Sequence, residues 1–217
     1  MMLKKFIEVF IMFTVTLKKQ SFVYLTLAIC FLTSCQESAP YIERQPIAFK
    51  QYLPIHMAVS KIDVIEEYKS PMVPPYVEHR IPYSPAETMD IWVKQRLRAV
   101  GLENRMEVII KNGAVTATEL PKQSGIGGFF TGEPDKKYEA YLEVEMRIYD
   151  ESGSAMSAAN VNAKASRTVV INESATVQER EEAFRKMITE LMTLINAQLE
   201  KNMFMFMSGY ISFSHNP

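Results

Sequence analysis

The chain has 217 residues, of which 47% are hydrophobic and 23% charged, and its formal net charge is −1. This near-neutral balance argues against nucleic acid as a partner, because nucleic-acid binding depends on clustered Lys and Arg. The only cysteines are Cys30 and Cys35, so the sequence offers no disulfide framework and a hydrophobic core must hold the fold.

The first predicted element is a secretory signal peptide over residues 1–34. Lys18 and Lys19 supply its positive charge, and the apolar stretch follows at 22–32. This stretch is far shorter than the ~20 residues of a membrane-spanning helix, which favours a cleaved signal over a transmembrane anchor. A leader counted from the first residue is unusually long, so Met12 is the expected translation start.

The sequence Leu32-Thr33-Ser34-Cys35 at the end of this stretch resembles the lipobox of bacterial lipoproteins. The resemblance implies that Cys35 becomes the mature N-terminus and carries a diacylglyceryl thioether and an acylated amine. Two lipid signals are enough for stable membrane anchoring. Gln36 is not aspartate, which favours the outer membrane over the inner for a protein on the periplasmic face of the envelope. The alternative is an ordinary cleaved signal followed by a free cysteine.

After the signal, residues 35–54 are predicted to be the lipidated terminus and its tether, and residues 55–217 a single periplasmic domain. The tether is polar and proline-punctuated, and a flexible chain of its length reaches about 20 Å. Loss of the leader removes four lysines and Glu8, which leaves the mature chain with a net charge of about −4.

The domain is predicted to begin with a strand at 56–65, which is rich in branched side chains. Five prolines follow within 71–85. Proline fits neither a helix interior nor a central strand, so this stretch is expected to be an ordered loop.

A helix is predicted over 85–100. Ser84 and Glu87 have the spacing of a capping box, and Pro85 suits the first helical position. Gly101 can take the left-handed conformation that ends a helix. The expected apolar face comprises Met89, Trp92, Val93, Leu97 and Val100.

A β-hairpin is predicted next, with strands at 106–110 and 114–120 joined by a two-residue turn at Asn112-Gly113. Apolar and polar residues then alternate strictly over 138–149, which is typical of an antiparallel strand with one buried face.

A partner strand is predicted over 155–170, with small side chains on the face where a helix would pack. That helix is expected over 177–202, with a capping box formed by Thr176 and Glu179. The element order predicts a two-layer α+β fold: an antiparallel-rich sheet of about five strands with two helices packed on one face.

Catalytic and metal-binding motifs are absent from the sequence, and neither a metal nor a cofactor is expected. Residues 125–128 are glycine-rich but lack the lysine and helix of a phosphate-binding loop. Glu139, Glu143 and Glu145 share one face of a predicted strand, where a solvated surface is favoured over a metal site.

Five residues are candidates for an interaction site. Val77, Glu78 and His79 lie in the proline loop, and Phe129 and Phe130 lie in a glycine loop at 123–134. A Glu-His pair can do acid–base work, but a hydrogen bond that fixes the loop is favoured. Exposed aromatic residues often mark contact surfaces, and the same pair can equally complete a core.

The proline loop and the helix after it resemble an uncharacterised group of envelope lipoproteins from Gram-negative bacteria. The residues that carry this resemblance are Pro74-Pro75-Tyr76-Val77-Glu78-His79, Ser84-Pro85, Trp92, Arg96-Leu97 and Gly101. The element order is also similar to that of auxiliary lipoproteins of ABC-type lipid-transport systems. Only the lipidated Cys35 carries over as a functional residue.

These observations predict a non-catalytic accessory or binding subunit of an envelope transport or assembly system. The membrane would hold it through acyl chains on Cys35, and a protein partner would contact the loops at 71–83 and 123–134. The alternative is a small lipid-binding protein or hydrolase that uses Glu78 and His79.

Overall fold

A five-stranded sheet and two α-helices make up most of the computed structural model, which describes residues 46–121, 135–150 and 158–212. A separate two-stranded sheet pairs Ile55–Met57 with Leu97–Ala99. The elements, in chain order, are β1 (Ile55–Met57), β2 (Lys61–Glu66), α1 (Pro85–Arg96), β3 (Leu97–Ala99), β4 (Arg105–Asn112), β5 (Val115–Glu119), β6 (Lys136–Tyr149), β7 (Ala159–Ile171) and α2 (Val177–Phe206).

Strand β6 is the centre of the larger sheet. β7 pairs with it antiparallel along almost its whole length, from Lys136 opposite Ile171 to Ile148 opposite Ala159. β4 and β5 pair antiparallel with the other edge of β6, and β2 is added parallel to β4. Both helices pack on one face of this sheet, which confirms the predicted α+β class.

The core lies between that face and the helices. β6 supplies alternate side chains, and α2, which at 30 residues is about 45 Å long, supplies a buried stripe. The capping box of Thr176 and Glu179 forms as predicted, and the helix continues past the expected end at residue 202. The buried residues of β6 and α2 include Ala140, Leu142, Val144, Met146, Ile148, Met187, Ile188, Leu191, Ile195, Leu199 and Met203.

Strands β4 and β5 do not form the predicted hairpin. They run in the same direction beside β6, with Arg105 opposite Tyr149 at one end and Glu119 opposite Lys136 at the other. β6 is 14 residues long, so one edge of it has room for both strands in succession. The prediction was wrong because the pairing available along β6 overrides a local preference for a turn.

The Asn112-Gly113 dipeptide instead marks an interruption in one long strand. The register against β6 shifts between Ile110 and Asn112, as in a β-bulge. The Asn112 side chain then accepts a hydrogen bond from the Ala114 amide over 3.0 Å. A Cβ on Gly113 would lie 3.2 Å from the Cβ of Ala86, so the glycine lets the strand pass close to the start of α1.

Helix α1 is shorter than predicted and begins differently. It ends at Arg96, and Leu97–Ala99 become strand β3, which pairs parallel with β1. The predicted strand at 56–65 is correspondingly split into β1 and β2. At the other end, Ser84 makes no side-chain capping bond; its carbonyl accepts from the Thr88 hydroxyl over 2.7 Å.

Gly101 has a different role from the predicted helix stop. It lies beyond β3, where a Cβ would be only 2.5 Å from the carbonyl carbon of Ala58. The glycine is therefore needed for the close approach of two backbones. Val100, expected on the buried face of the helix, is half exposed.

Residues 46–54, in the range predicted to be tether, pack against the domain. Ile47 and Phe49 are buried in the core, and the Phe49 amide donates to the side-chain oxygen of Gln95 over 2.6 Å. Tyr52 lies over the guanidinium of Arg96 at 5.1 Å. The chain therefore joins the fold beside the C-terminal end of α1.

Candidate docking site at the proline loop

The proline loop connects β2 to α1 and lies along the outer edge of β5. The Val77 amide donates to the Val115 carbonyl over 2.8 Å, and the Ala117 amide donates to the Pro75 carbonyl over 2.8 Å. Proline has no amide N–H, so the loop pairs with the strand through the carbonyl of Pro75 and the amide of Val77. This pairing covers the edge of β5 and holds the middle of the loop in place.

Glu78 is the second attachment of the loop. Its side chain is only 7% exposed. One carboxylate oxygen accepts from the Tyr68 hydroxyl over 2.7 Å, and the other accepts from the Val115 amide over 3.2 Å. Both oxygens are therefore engaged, and the carboxylate connects the start of the loop, at Tyr68, to Val115 of β5.

Burial and hydrogen bonding have opposite effects on the pKa of Glu78, which is paired with Tyr68. Burial alone would raise the pKa of Glu78, but hydrogen bonds from Ser70, Tyr68 and the backbone outweigh it, and the pKa is lowered. The pKa of Tyr68 is raised by burial and by its hydrogen bond to Glu78. At neutral pH the pair is therefore a carboxylate held by a neutral phenol.

His79 and Val77 lie on either side of Glu78 but have different environments. His79 is exposed, and its Nε2 accepts from the Nε of Arg80 over 3.1 Å. Val77 is half-buried and packs against the core. The carboxylate thus faces the sheet while the neighbouring imidazole lies in solvent, an arrangement that suits a loop fastener better than an acid–base pair.

A shallow groove of about 270 Å³ lies beneath the loop, at the N-terminal end of α1. The polar residues that line it include Glu66, Tyr68, Ser70, Glu78, His79 and Glu87. Among the residues that the structure describes, no group of three or more His, Cys, Asp or Glu is arranged to hold a metal ion.

Met72 and Val73, at the start of the loop, were not among the predicted site residues. Both are largely exposed, at 65% and 55%. Met72 has a φ of 57°, in the left-handed region that side chains other than glycine rarely adopt, and its amide donates to the Ser70 hydroxyl over 3.2 Å. The sequence could have indicated this pair, because two apolar residues between prolines lie in a loop that offers them little core to pack into.

The glutamates of β6 belong to an ion-pair surface on the face of the sheet opposite the helices. Glu145 contacts Arg147 at 2.7 Å and Lys111 at 3.5 Å. Glu143 accepts from the Tyr141 hydroxyl over 2.9 Å. These contacts agree with the solvated face that the sequence favours.

The remaining predicted site residues, Cys35, Phe129 and Phe130, lie outside the described residues. Within the described part of the chain, no helix is long and apolar enough to cross a bilayer.

Three solved structures illustrate what the chain is similar to. A minor lipoprotein from Acinetobacter baumannii is 12% identical, with a TM-score of 0.38, over 72% of this chain and 98% of that one. A candidate lipoprotein from Caulobacter crescentus is 8% identical, with a TM-score of 0.31, over 66% and 89% of the two chains. A Xanthomonas campestris protein of the DUF330 family is 12% identical, with a TM-score of 0.33, over 73% and 95%. No protein-family model matches the chain, and neither does any curated protein.

Proposed function

We propose that this protein is a lipid-anchored accessory subunit of the bacterial envelope, without catalytic activity of its own. Acyl chains on Cys35 hold it on the periplasmic side of the membrane, with the outer membrane favoured by Gln36. The proline loop is its docking surface for a protein partner that belongs to a transport or assembly system.

The observation that carries this proposal is the burial of Glu78 under a loop whose own apolar side chains stay exposed. A charged group costs free energy to bury unless it is hydrogen-bonded, and here both carboxylate oxygens are used to fix the loop. Met72 and Val73 nevertheless remain exposed to solvent. Exposed apolar side chains on a firmly held loop are typical of a contact surface.

Pre-ordering of the loop favours tight association. A partner that binds a flexible loop must offset the entropy of ordering it, at about 0.5–1.5 kcal/mol for each immobilised side chain. The bonds from Val77 and Glu78 to Val115 hold the loop in one conformation before a partner arrives. Met72 and Val73 are therefore presented in a fixed position.

The alternative function, a small hydrolase or lipid-binding protein using Glu78 and His79, has less support. Both residues line the groove. A general base, however, needs a free lone pair directed at the substrate. The carboxylate already accepts from Tyr68 and Val115, and its lowered pKa makes it a weak base; the imidazole Nε2 accepts from Arg80. If this alternative were correct, His79→Ala would abolish turnover or ligand binding.

Photocrosslinking in native membranes tests the docking surface. Val73 is replaced by a photoreactive amino acid, and Val170, which lies on β7 and has a similar exposure of 53% against 55%, serves as the matched control. The expected result is a discrete protein adduct from position 73 and none from position 170.

The same experiment in a Glu78→Gln background shows whether the adduct needs the ordered loop. Loss of the carboxylate weakens the bonds to Tyr68 and Val115, so the yield of the adduct is expected to fall. Equal labelling from positions 73 and 170, or an adduct that Glu78→Gln leaves unchanged, would contradict the proposal.

A further inference from the structure

The C-terminal end of α2 exposes three consecutive apolar side chains. Phe204, Met205 and Phe206 are 48%, 57% and 62% exposed. Consecutive helical residues are 100° apart, so this apolar surface extends around the helix rather than continuing the buried stripe. The solvent face nearer the start of α2 is polar, with exposed residues such as Glu182, Lys186 and Glu190.

This apolar end lies beside the place where the chain joins the fold. Arg96 forms an ion pair with Glu200 near the end of α2, and the same guanidinium lies under Tyr52. Phe49 is bonded to Gln95 next to it. The first described residues and the last turns of α2 therefore occupy the same end of the domain.

The length of the chain limits how far this end can be from the membrane anchor. The chain advances by eleven residues, Gln36 to Pro46, from Cys35 to the first residue that the structure describes. At about 3.5 Å per residue they span at most roughly 40 Å. Along the helix, Phe206 lies about 9 Å beyond Glu200, whereas Val177 lies about 35 Å away in the other direction.

We propose that Met205 and Phe206 insert into the lipid surface to which Cys35 is anchored. The inference rests on the lipid anchoring proposed above, because the anchor keeps this end of the domain near the bilayer. Both side chains are uncharged, and exposed Lys201, one turn earlier, can reach lipid phosphates. Insertion would orient the domain on the membrane, in addition to tethering it.

Tryptophan quenching by brominated phospholipids tests the orientation. The full-length lipidated chain is reconstituted into vesicles of phosphatidylethanolamine and phosphatidylglycerol, once as Phe206→Trp and once as Val177→Trp. Val177 is 81% exposed at the opposite end of the same helix and is the matched control. Trp92, the only natural tryptophan, is buried and gives the same background in both variants.

The expected result is that bromolipids quench the Phe206→Trp signal at least about two-fold more than the Val177→Trp signal. Equal quenching in vesicles to which both variants co-float would overturn the insertion while leaving the anchor intact. Failure of both variants to co-float with vesicles would overturn the anchor and the insertion together. With a photoreactive amino acid in place of Met205 in the same vesicles, lipid adducts are expected, and crosslinks between copies instead would identify a second copy as the occupant and contradict the proposal.

Since the vesicles contain no other protein, this test is independent of the docking partner. If the helix end inserts but position 73 gives no crosslink, the membrane orientation is supported and the proposed docking surface is contradicted.

Discussion

The hydroxyl of Tyr68 donates to a carboxylate oxygen of Glu78 over 2.7 Å, and this bond closes the proline loop upon itself. Tyr68 lies just after β2, and Glu78 lies in the loop seven residues before α1, so the pair holds together the two chain segments that flank Met72 and Val73. The other carboxylate oxygen reaches the Val115 amide of β5. The proline loop is thus fastened to the sheet by a buried carboxylate as well as by its backbone bonds to β5.

Replacement of Glu78 by glutamine should destabilise the domain and loosen the loop. The amide keeps the shape of the side chain but removes the charge, and one of its two oxygen acceptors becomes a donor. Hydrogen bonds to charged groups contribute about 1.5–3 kcal/mol, so the free energy of unfolding should fall by roughly 1–3 kcal/mol. Urea denaturation followed by circular dichroism measures it.

The matched control is Glu87→Gln. Glu87 also lines the groove but is exposed, and the capping box predicted for it does not form. Its replacement should change stability by less than about 0.5 kcal/mol. If Glu78→Gln were as mild as the control, the fastening role of Glu78 would be wrong.

Stability should depend on pH through the same pair. The pKa of Glu78 is lower in the folded state than its ordinary value, so its contribution is full above about pH 5 and is lost as the pH falls through the folded pKa. The pKa of Tyr68 is raised in the folded state, so its contribution to stability is full below about pH 10 and is lost as the pH rises above that value. The difference in unfolding free energy between the wild type and Glu78→Gln should therefore be constant near neutrality and shrink in acid. A difference that does not vary with pH down to about 3 would refute this assignment.

Gly101→Ala should be strongly destabilising, although this glycine does not end a helix. A Cβ would lie 2.5 Å from the carbonyl carbon of Ala58 and 2.7 Å from the nitrogen of Val59, so one backbone must shift. Overpacking of this kind costs about 1–3 kcal/mol or more. Gly209→Ala is the control, since nothing lies within 4 Å of its added methyl group. A shift in thermal midpoint that is the same for both variants would contradict the account.

Asn196→Ala should disrupt the contact between the helices. The Asn196 oxygen accepts from the indole Nε1 of Trp92 over 2.8 Å and from Arg96 over 3.3 Å, and all three residues are buried. Both donors lose this acceptor, so the free energy of unfolding should fall by about 2–4 kcal/mol.

Fluorescence of Trp92, the only natural tryptophan, reports this change directly. The control is Thr193→Ala, because Thr193 is exposed and its hydroxyl donates to the Thr189 carbonyl of its own helix. Unchanged emission and stability in Asn196→Ala would argue against the buried bond.

Elements with strong local patterns could be predicted from the sequence. The strict alternation of apolar and polar residues over 138–149 and the apolar stripe after Thr176 can be recognised without knowing which distant residues they contact. Strand β6 and helix α2 formed where these patterns predicted them. Small side chains near Ala163 likewise indicated the face of β7 on which α2 packs.

Features that depend on distant partners could not be predicted in this way. Asn112-Gly113 favours a turn locally, but the length of β6 decides that the chain continues straight on. Gly101 could not be assigned without Ala58 beside it. The sequence favours a loop-fixing hydrogen bond over acid–base chemistry for Glu78 and His79, but only the positions of Tyr68 and Val115 show which bonds Glu78 makes.

The mass of the mature N-terminal peptide, isolated from membranes, tests the central claim most directly. A lipid-anchored docking subunit predicts that the mature chain begins at Cys35 and carries diacylglyceryl and acyl groups, both absent from a Cys35→Ser variant. A mature chain with an unmodified Cys35, or with residues 1–34 still attached, would contradict it.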